Sequence, residues 1–193
     1  MQQKKLNIIK AAEKRFSRHG VTKSTLDEIA RDLRIGKATL YYYFESKEAL
    51  YYGVLENQIS EFIESLKLIF SDEILSHEEK ITAYLKEKTT FPGKYTLLFA
   101  LFENAFREFP VVTEVGIIKK LIEEEEAALV KYFETFLKER KDKSDLPALL
   151  KAIPKFAYTL GLLNLLETKL FGEEKSISAE QVTKLIREKF LGQ

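Results

Sequence analysis

Apolar residues recur at alternating steps of three and four along nearly the whole 193-residue chain, the period of helices that bury one face. Ile9, Ala12 and Phe16 mark a first helix over about 4–19, which Gly20 should stop. Leu26, Ile29 and Leu33 share one face of a short second helix, and Leu40 and Phe44 share one face of a third that starts near Lys37. Leu50, Val54, Ile59, Phe62, Leu66 and Ile69 then carry a fourth helix from Ser46 to about residue 70, a rigid lever between two domains. Further helices are predicted over about 76–91, where Pro92 and Gly93 should end the run, over 94–109 before Pro110, and over 113–140. The polar stretch at 141–145 makes the next loop.

The eighth segment, about 146–171, has a different pattern. Leu149, Ile153, Phe156, Leu160, Leu163 and Leu170 form one stripe, while Leu150, Ala157, Gly161, Leu162, Leu165 and Leu166 fill further faces. A helix apolar nearly all round is buried on two sides, and one subunit offers a core for only one of them. Pro154 should kink it, and Gly161 permits close approach of a second helix. A ninth helix, about 178–191, carries Val182, Leu185, Ile186 and Phe190 and completes a four-helix interface by two-fold symmetry. The chain therefore reads as an all-α homodimer of about nine helices per subunit, with Phe156, Leu160, Leu163, Leu166, Val182 and Ile186 as candidate interface residues. A three-helix domain is expected over residues 1–48 and a helical domain over 49–193.

The second and third helices carry the chemistry. Thr25 and Glu28 have the spacing of a capping box, and Arg34, Ile35 and Gly36 span the turn, with Gly36 expected to take the positive φ. Two short helices so joined form a helix-turn-helix, whose second helix can enter a DNA groove. Leu40 and Phe44 pack inward, leaving Ala38, Thr39 and Tyr42 outward with Lys37, Tyr41 and Tyr43 on the flanks. So many phenol rings on an outer face are poorly explained by folding, whereas phosphate oxygens and thymine methyl groups suit them. The alternative is that some are core, Tyr43 first among them. Ser46 is the expected N-cap of the fourth helix, so Lys47 falls in its first turn, where the helix dipole disfavours a cation. A bound phosphate reverses that penalty; Glu48 alone could also offset it.

Charge sharpens this picture. Residues 1–50 hold 11 lysines and arginines against 6 acidic residues, net +5, while residues 51–193 hold 20 against 24, net −4. The overall +1 hides a basic head on an acidic body, as expected when one end meets a polyanion.

The stretch from Asn7 to Leu55, with Asn-Ile-Ile-Lys-Ala-Ala-Glu-Lys-Arg-Phe-Ser-Arg-His-Gly, then Thr-Leu-Asp-Glu-Ile-Ala, then Gly-Lys-Ala-Thr-Leu-Tyr-Tyr-Tyr-Phe-Glu-Ser-Lys-Glu-Ala-Leu, resembles the N-terminal domain of the TetR family of bacterial transcriptional regulators. The resemblance implies that Thr25, Lys37, Thr39, Tyr41, Tyr42 and Lys47 touch DNA, chiefly phosphates for Thr25, Tyr41, Tyr42 and Lys47. With Ala38 from the outward face these are the candidate DNA-binding residues. Tyr43 departs from the histidine often found at its position. The resemblance further implies a repressor on an operator duplex, released by a small-molecule effector. Beyond residue 55 the chain resembles the family in length and helical pattern alone.

Composition narrows the alternatives. A content of 45% hydrophobic residues suffices for a packed core, and 32% charged residues with no Cys, no Trp and one Met is a balance also found in thermophile proteins. The absence of Cys excludes disulfides and cysteine-ligated zinc, and neither a signal pattern nor a membrane-length apolar span stands out, so the expected location is the cytoplasm. There is no phosphate-binding glycine loop, zinc-protease helix motif or glycine-flanked nucleophilic serine, and His19 and His77 are isolated. No enzyme, cofactor or metal is expected. Glu123 to Glu126 read as a solvated face.

The effector site is harder to place. Phe91, Tyr95, Phe99, Phe102, Phe106 and Phe109 crowd the sixth helix, with Tyr132, Phe133 and Phe136 on the seventh and Phe156 and Tyr158 on the eighth. Aromatics at helical spacing serve as core more often than as pocket, yet Asn104, Arg107, Asn164 and Glu167 stand among them and need partners if buried. Phe99, Phe102, Phe106, Tyr132, Phe136, Tyr158 and Asn164 are the candidate ligand residues, for an apolar or aromatic small molecule. The alternative is a DNA-bound protein whose second domain recruits a protein partner and binds no effector.

Overall fold

A computed structural model of the chain describes residues 2–107 and 110–137. Seven helices account for the regular structure among the described residues: α1 (Gln2–His19), α2 (Leu26–Asp32), α3 (Lys37–Tyr43), α4 (Lys47–Ser71), α5 (His77–Lys94), α6 (Thr96–Arg107) and α7 (Val112–Leu137). The architecture is all-α, as the periodicity indicates. The predicted eighth and ninth helices, with Phe156, Leu160, Leu163, Leu166, Val182 and Ile186, lie outside the described residues.

The first three helices close over one small core. Ile8, Ile9, Ala12 and Phe16 of α1 meet Leu26, Ile29 and Ala30 of α2 and Leu40 of α3, all buried. Each large side chain so buried contributes about 1.5–3 kcal/mol relative to exposure. The start of α4 seals this core with Leu50 and Val54. Gly53 permits the seal, because a Cβ there would stand 3.0 Å from the Phe44 ring that ends α3.

The turn between α2 and α3 differs from expectation. Gly36 has an ordinary φ of −66° and is the N-cap of α3, while Arg34 takes φ +54°. The reason is the way α2 stops at Asp32 with Leu33 as its C-cap. The Arg34 N–H returns to the Arg31 carbonyl at 3.0 Å and the Ile35 N–H to the Ala30 carbonyl at 3.0 Å, the paired bonds of a Schellman ending, which demands a left-handed residue at position 34.

Beyond the headpiece, α4 packs on α1, α5, α6 and α7 and its buried row continues through Ile59, Phe62 and Leu66. The expected break at Pro92 does not occur, and α5 runs on to Lys94 with the proline inside it. The Tyr95 N–H bonds the Phe91 carbonyl at 2.9 Å, and Phe91 and Tyr95 pack edge-on against Phe62 at 5.0 and 5.6 Å. That aromatic burial offsets the missing proline N–H. Gln58 of α4, buried at 1% exposure, joins three helices: its amide donates to Glu13 of α1 at 2.6 Å and its carbonyl accepts the Leu98 N–H in the first turn of α6 at 2.9 Å. Ser17 of α1 and Thr96 of α6 meet beside it at 3.1 Å.

Candidate nucleic-acid interface and ligand cleft

The candidate surface is built from the start of α2. Thr25 Oγ1 accepts the Glu28 N–H, and Glu28 accepts the Thr25 N–H at 2.9 Å, completing the capping box. The second Glu28 oxygen receives Arg15 of α1 at 3.0 Å, and the same guanidinium reaches Asp32 at 2.7 Å, so one arginine pins α1 to both ends of α2. Arg15, then Thr25, hold the Glu28 carboxyl down at about 2.

With α2 fixed, Leu40 and Phe44 bury one side of α3 and fix which side is left outside. Lys37, Ala38, Thr39, Tyr41 and Tyr42 are all exposed, Tyr42 at 74%. Tyr43 is half-buried against the core and supports Tyr42 edge-on at 5.2 Å. Thr25 is also exposed. Ser46 caps α4 through the Ala49 N–H at 3.0 Å, and Lys47, half-buried in that first turn, extends its ammonium toward the Thr22 carbonyl at 3.4 Å. The candidate residues thus gather at the α2–α3 unit and the start of α4. Lys37 has a partner that the spacing did not reveal: Asp27 of α2 at 2.9 Å, which raises the lysine pKa.

The expected ligand residues do not gather in this way. Phe99 and Phe102 are buried core residues of α6, and Tyr158 and Asn164 lie outside the described residues, as do the side chains of Phe106 and Phe136. Tyr132 lines a cleft of about 690 Å³ between α4, α5 and α7, together with Ile63, Lys67, Phe70, Ser71, His77, Lys80, Glu124, Ala127, Ala128 and Lys131. Phe70 and Tyr132 stack at 4.6 Å and 15°, and the Tyr132 hydroxyl meets His77 Nδ1 at 2.6 Å. Burial pushes the Tyr132 phenol up to about 12. The pocket signal in the sequence was lysine at the α5 start, which aromatic counting overlooks.

Deeper between α5 and α7 lies a polar knot. Glu125 is fully buried, so the run Glu123 to Glu126 is the expected solvated face at Glu123 but not at Glu125. Tyr84 donates to it at 2.7 Å, and Lys88 Nζ lies 3.0 Å from each of its oxygens. Those bonds make the burial tolerable. Burial still holds the Lys88 ammonium down at about 8 and drives the Tyr84 phenol well above its ordinary value. Among the described residues no group of three His, Cys, Asp or Glu side chains is placed to hold a metal, and no helix is long and apolar enough to cross a membrane.

Comparison with known proteins follows the same division. Residues 8–52 match the family model described as bacterial regulatory proteins, tetR family. The HTH-type transcriptional regulator RutR of Escherichia coli K12 is 31% identical over 128 residues, 65% of this chain and 60% of the relative. The aligned stretch therefore spans about three fifths of that relative's length. The biofilm operon icaADBC HTH-type negative transcriptional regulator IcaR of Staphylococcus epidermidis is 41% identical over 59 residues, 31% of this chain and 32% of the relative. Among solved structures, the transcriptional regulator FadR from Bacillus subtilis in complex with stearoyl-CoA aligns at TM-score 0.68 and 16% identity, covering 94% of this chain and 96% of that one. A TetR transcriptional regulator from Legionella pneumophila aligns at TM-score 0.65 and 24% identity, covering 94% of each. These structural likenesses concern the fold.

Proposed function

Since the chain belongs to the TetR family of bacterial regulatory proteins, we propose that it is a cytoplasmic, homodimeric transcriptional repressor without enzymatic activity, released from its operator by a small molecule. The observation that carries this reading is the outer face of α3, where Lys37, Ala38, Thr39, Tyr41 and Tyr42 stand exposed on a helix whose other side is locked into the core. In use, α3 enters the major groove, Ala38 and Thr39 face base edges, and Thr25, Tyr41, Tyr42 and Lys47 grip phosphates, with Lys37 leaving Asp27 for the duplex. Two subunits, joined through the segment after residue 145, read half-sites about 34–36 Å apart or a multiple of that.

Residues 1–48 serve DNA and residues 49–193 serve the effector and the dimer. The cleft between α4, α5 and α7 supports an effector over a recruited protein, because a concave, largely apolar recess of this size suits a small molecule. The complex of FadR with stearoyl-CoA and the negative role in the name of IcaR support the same reading. Occupation of the cleft would displace α4, and Gln58 would carry that displacement to α1 through Glu13. The spacing of the two α3 helices then no longer fits the groove.

Fluorescence anisotropy on labelled duplexes over a salt series tests the reading. Lys47→Ala should weaken binding to operator and random duplex alike and lower the salt slope by about 1, since a phosphate contact carries no sequence information. Thr39→Ala should instead reduce discrimination between sites by about 1–3 kcal/mol. An unchanged slope for the Lys47 variant would sink the assignment.

A further inference from the structure

Two lysines of α5 are buried, two helical turns apart, and they are treated differently. Lys88 has Glu125 at 3.0 Å. Lys80 is 9% exposed, yet its ammonium donates to the Phe70 carbonyl at 3.0 Å, lies 5.4 Å over the Tyr132 ring, and has no carboxylate within 4.0 Å among the described residues. A buried cation ordinarily carries its counter-charge with it. Lys80 faces a cleft instead, whose described lining holds one carboxylate, Glu124, beside two further lysines, Lys131 and Lys67, the latter 3.5 Å from Glu64. The Phe70 and Tyr132 rings, stacked on each other, and the small side chains Ala127 and Ala128 give the cleft an apolar side. Tyr132, with its phenol held near 12, stays neutral at physiological pH and cannot serve as the anion.

We propose that this cleft binds a small amphipathic anion, an oxyanion head group on an apolar body, with Lys80 as its counter-ion. The inference deepens the effector reading above and rests on it for its regulatory consequence. The head group, carboxylate or phosphate, replaces the missing carboxylate beside Lys80, and the apolar body packs against Phe70, Tyr132 and the two alanines. Specificity follows from charge: a neutral molecule of the same shape leaves Lys80 buried without an anion, which the site does not favour.

The full chain tests this with two fluorescent probes of similar shape, the anionic 1-anilinonaphthalene-8-sulfonate and the uncharged N-phenyl-1-naphthylamine. The anionic probe should bind saturably at one site per chain. Lys80→Met should weaken it about tenfold, the loss of one charge-assisted contact, while the neutral probe binds as well as before or better. Lys67→Met, at the rim, should have a smaller effect in the same direction. Equal loss for both probes, or none for the anionic one, overturns the proposal. Competition on the unmodified protein decides independently of whether the variant folds. 2-Naphthoate or 2-naphthyl phosphate should displace the anionic probe, the better competitor identifying the head group, and 2-naphthamide should not; equal displacement by the amide overturns the site. Duplex binding, measured alongside, separates the two claims. Anion binding by a protein that ignores DNA would leave the site standing and remove the regulator, whereas DNA binding without anion selectivity would do the reverse.

Discussion

The headpiece and the α5–α7 layer both join helices through ion pairs, but they place them in opposite surroundings. In the headpiece, Lys37 holds Asp27 with both side chains open to water, and Arg15, itself 18% exposed, holds the more open Glu28 and Asp32. In the α5–α7 layer, Lys88 and Glu125 are both buried and share Tyr84. Exposed pairs are weak and exchangeable, which suits the proposed exchange of Asp27 for phosphate at Lys37. A buried pair is expensive to break and fixes one packing of two helices, which suits a frame around a cleft. The same residue types can therefore be exchangeable in one region and fix geometry in the other, according to how far water reaches them.

Removing one acidic partner from each region should separate them most strongly. Glu125→Gln leaves Lys88 buried beside a neutral group and should cost about 3–5 kcal/mol, read as a fall in the urea midpoint. Asp27→Asn should leave the midpoint nearly unchanged. Replacing both buried partners, Lys88→Met with Glu125→Leu, should recover most of the loss, because two apolar groups of similar volume carry no desolvation penalty. Similar losses at Asp27 and Glu125 would break the comparison.

The two regions should also respond at opposite ends of the pH scale. Glu28 titrates near 2 in the folded chain, below its ordinary 4.5, so its stabilisation is present above 4.5 and is lost as pH falls toward 2. Lys88 titrates near 8, below its ordinary 10.5, so the folded state bears the burial penalty in full below pH 8 and sheds it between 8 and 10.5, where stability should rise. Tyr84, driven well above 10, reverses the trend at higher pH because only the unfolded phenol ionises. Urea midpoints across pH should show the rise above 8 in the parent and not in Lys88→Met; Glu28→Gln should blunt the acid limb alone. A rise that survives Lys88→Met would assign it elsewhere.

The regions differ as much in how they are written in the sequence. The headpiece is local: the Thr25–Glu28 box, the Ser46 cap and the inward Leu40 are signals within four residues, and each stands where the spacing puts it. The cleft depends on pairs 37 to 55 residues apart, Lys88 with Glu125 and His77 with Tyr132, which no periodicity reveals. Hence Phe99 and Phe102, conspicuous in sequence, are core, while Lys80, inconspicuous there, lines the cleft. Pro92 and Glu125 mislead for a related reason, since burial against partners far along the chain overrides their local preference.

Within the headpiece one local signal also misleads, and it offers the smallest test. Glycine normally marks the left-handed residue of a turn, but Gly36 sits two positions beyond the Schellman ending and Arg34 occupies it. An arginine there bears steric strain that glycine does not. Arg34→Gly should therefore stabilise the chain by about 1 kcal/mol, raising the melting temperature by about 2–4 °C. Arg34→Asn, with a side chain tolerant of positive φ, should give part of that gain, and Arg34→Val should lose stability because a branched Cβ fits the region worst. Because Arg34 is exposed beside the DNA-facing surface, the glycine variant should also bind random duplex slightly less well. A more stable variant with weaker non-specific binding means that the arginine is kept for charge at the expense of backbone comfort; no gain with glycine means that the turn geometry, and the placement of α3 that follows from it, is wrong.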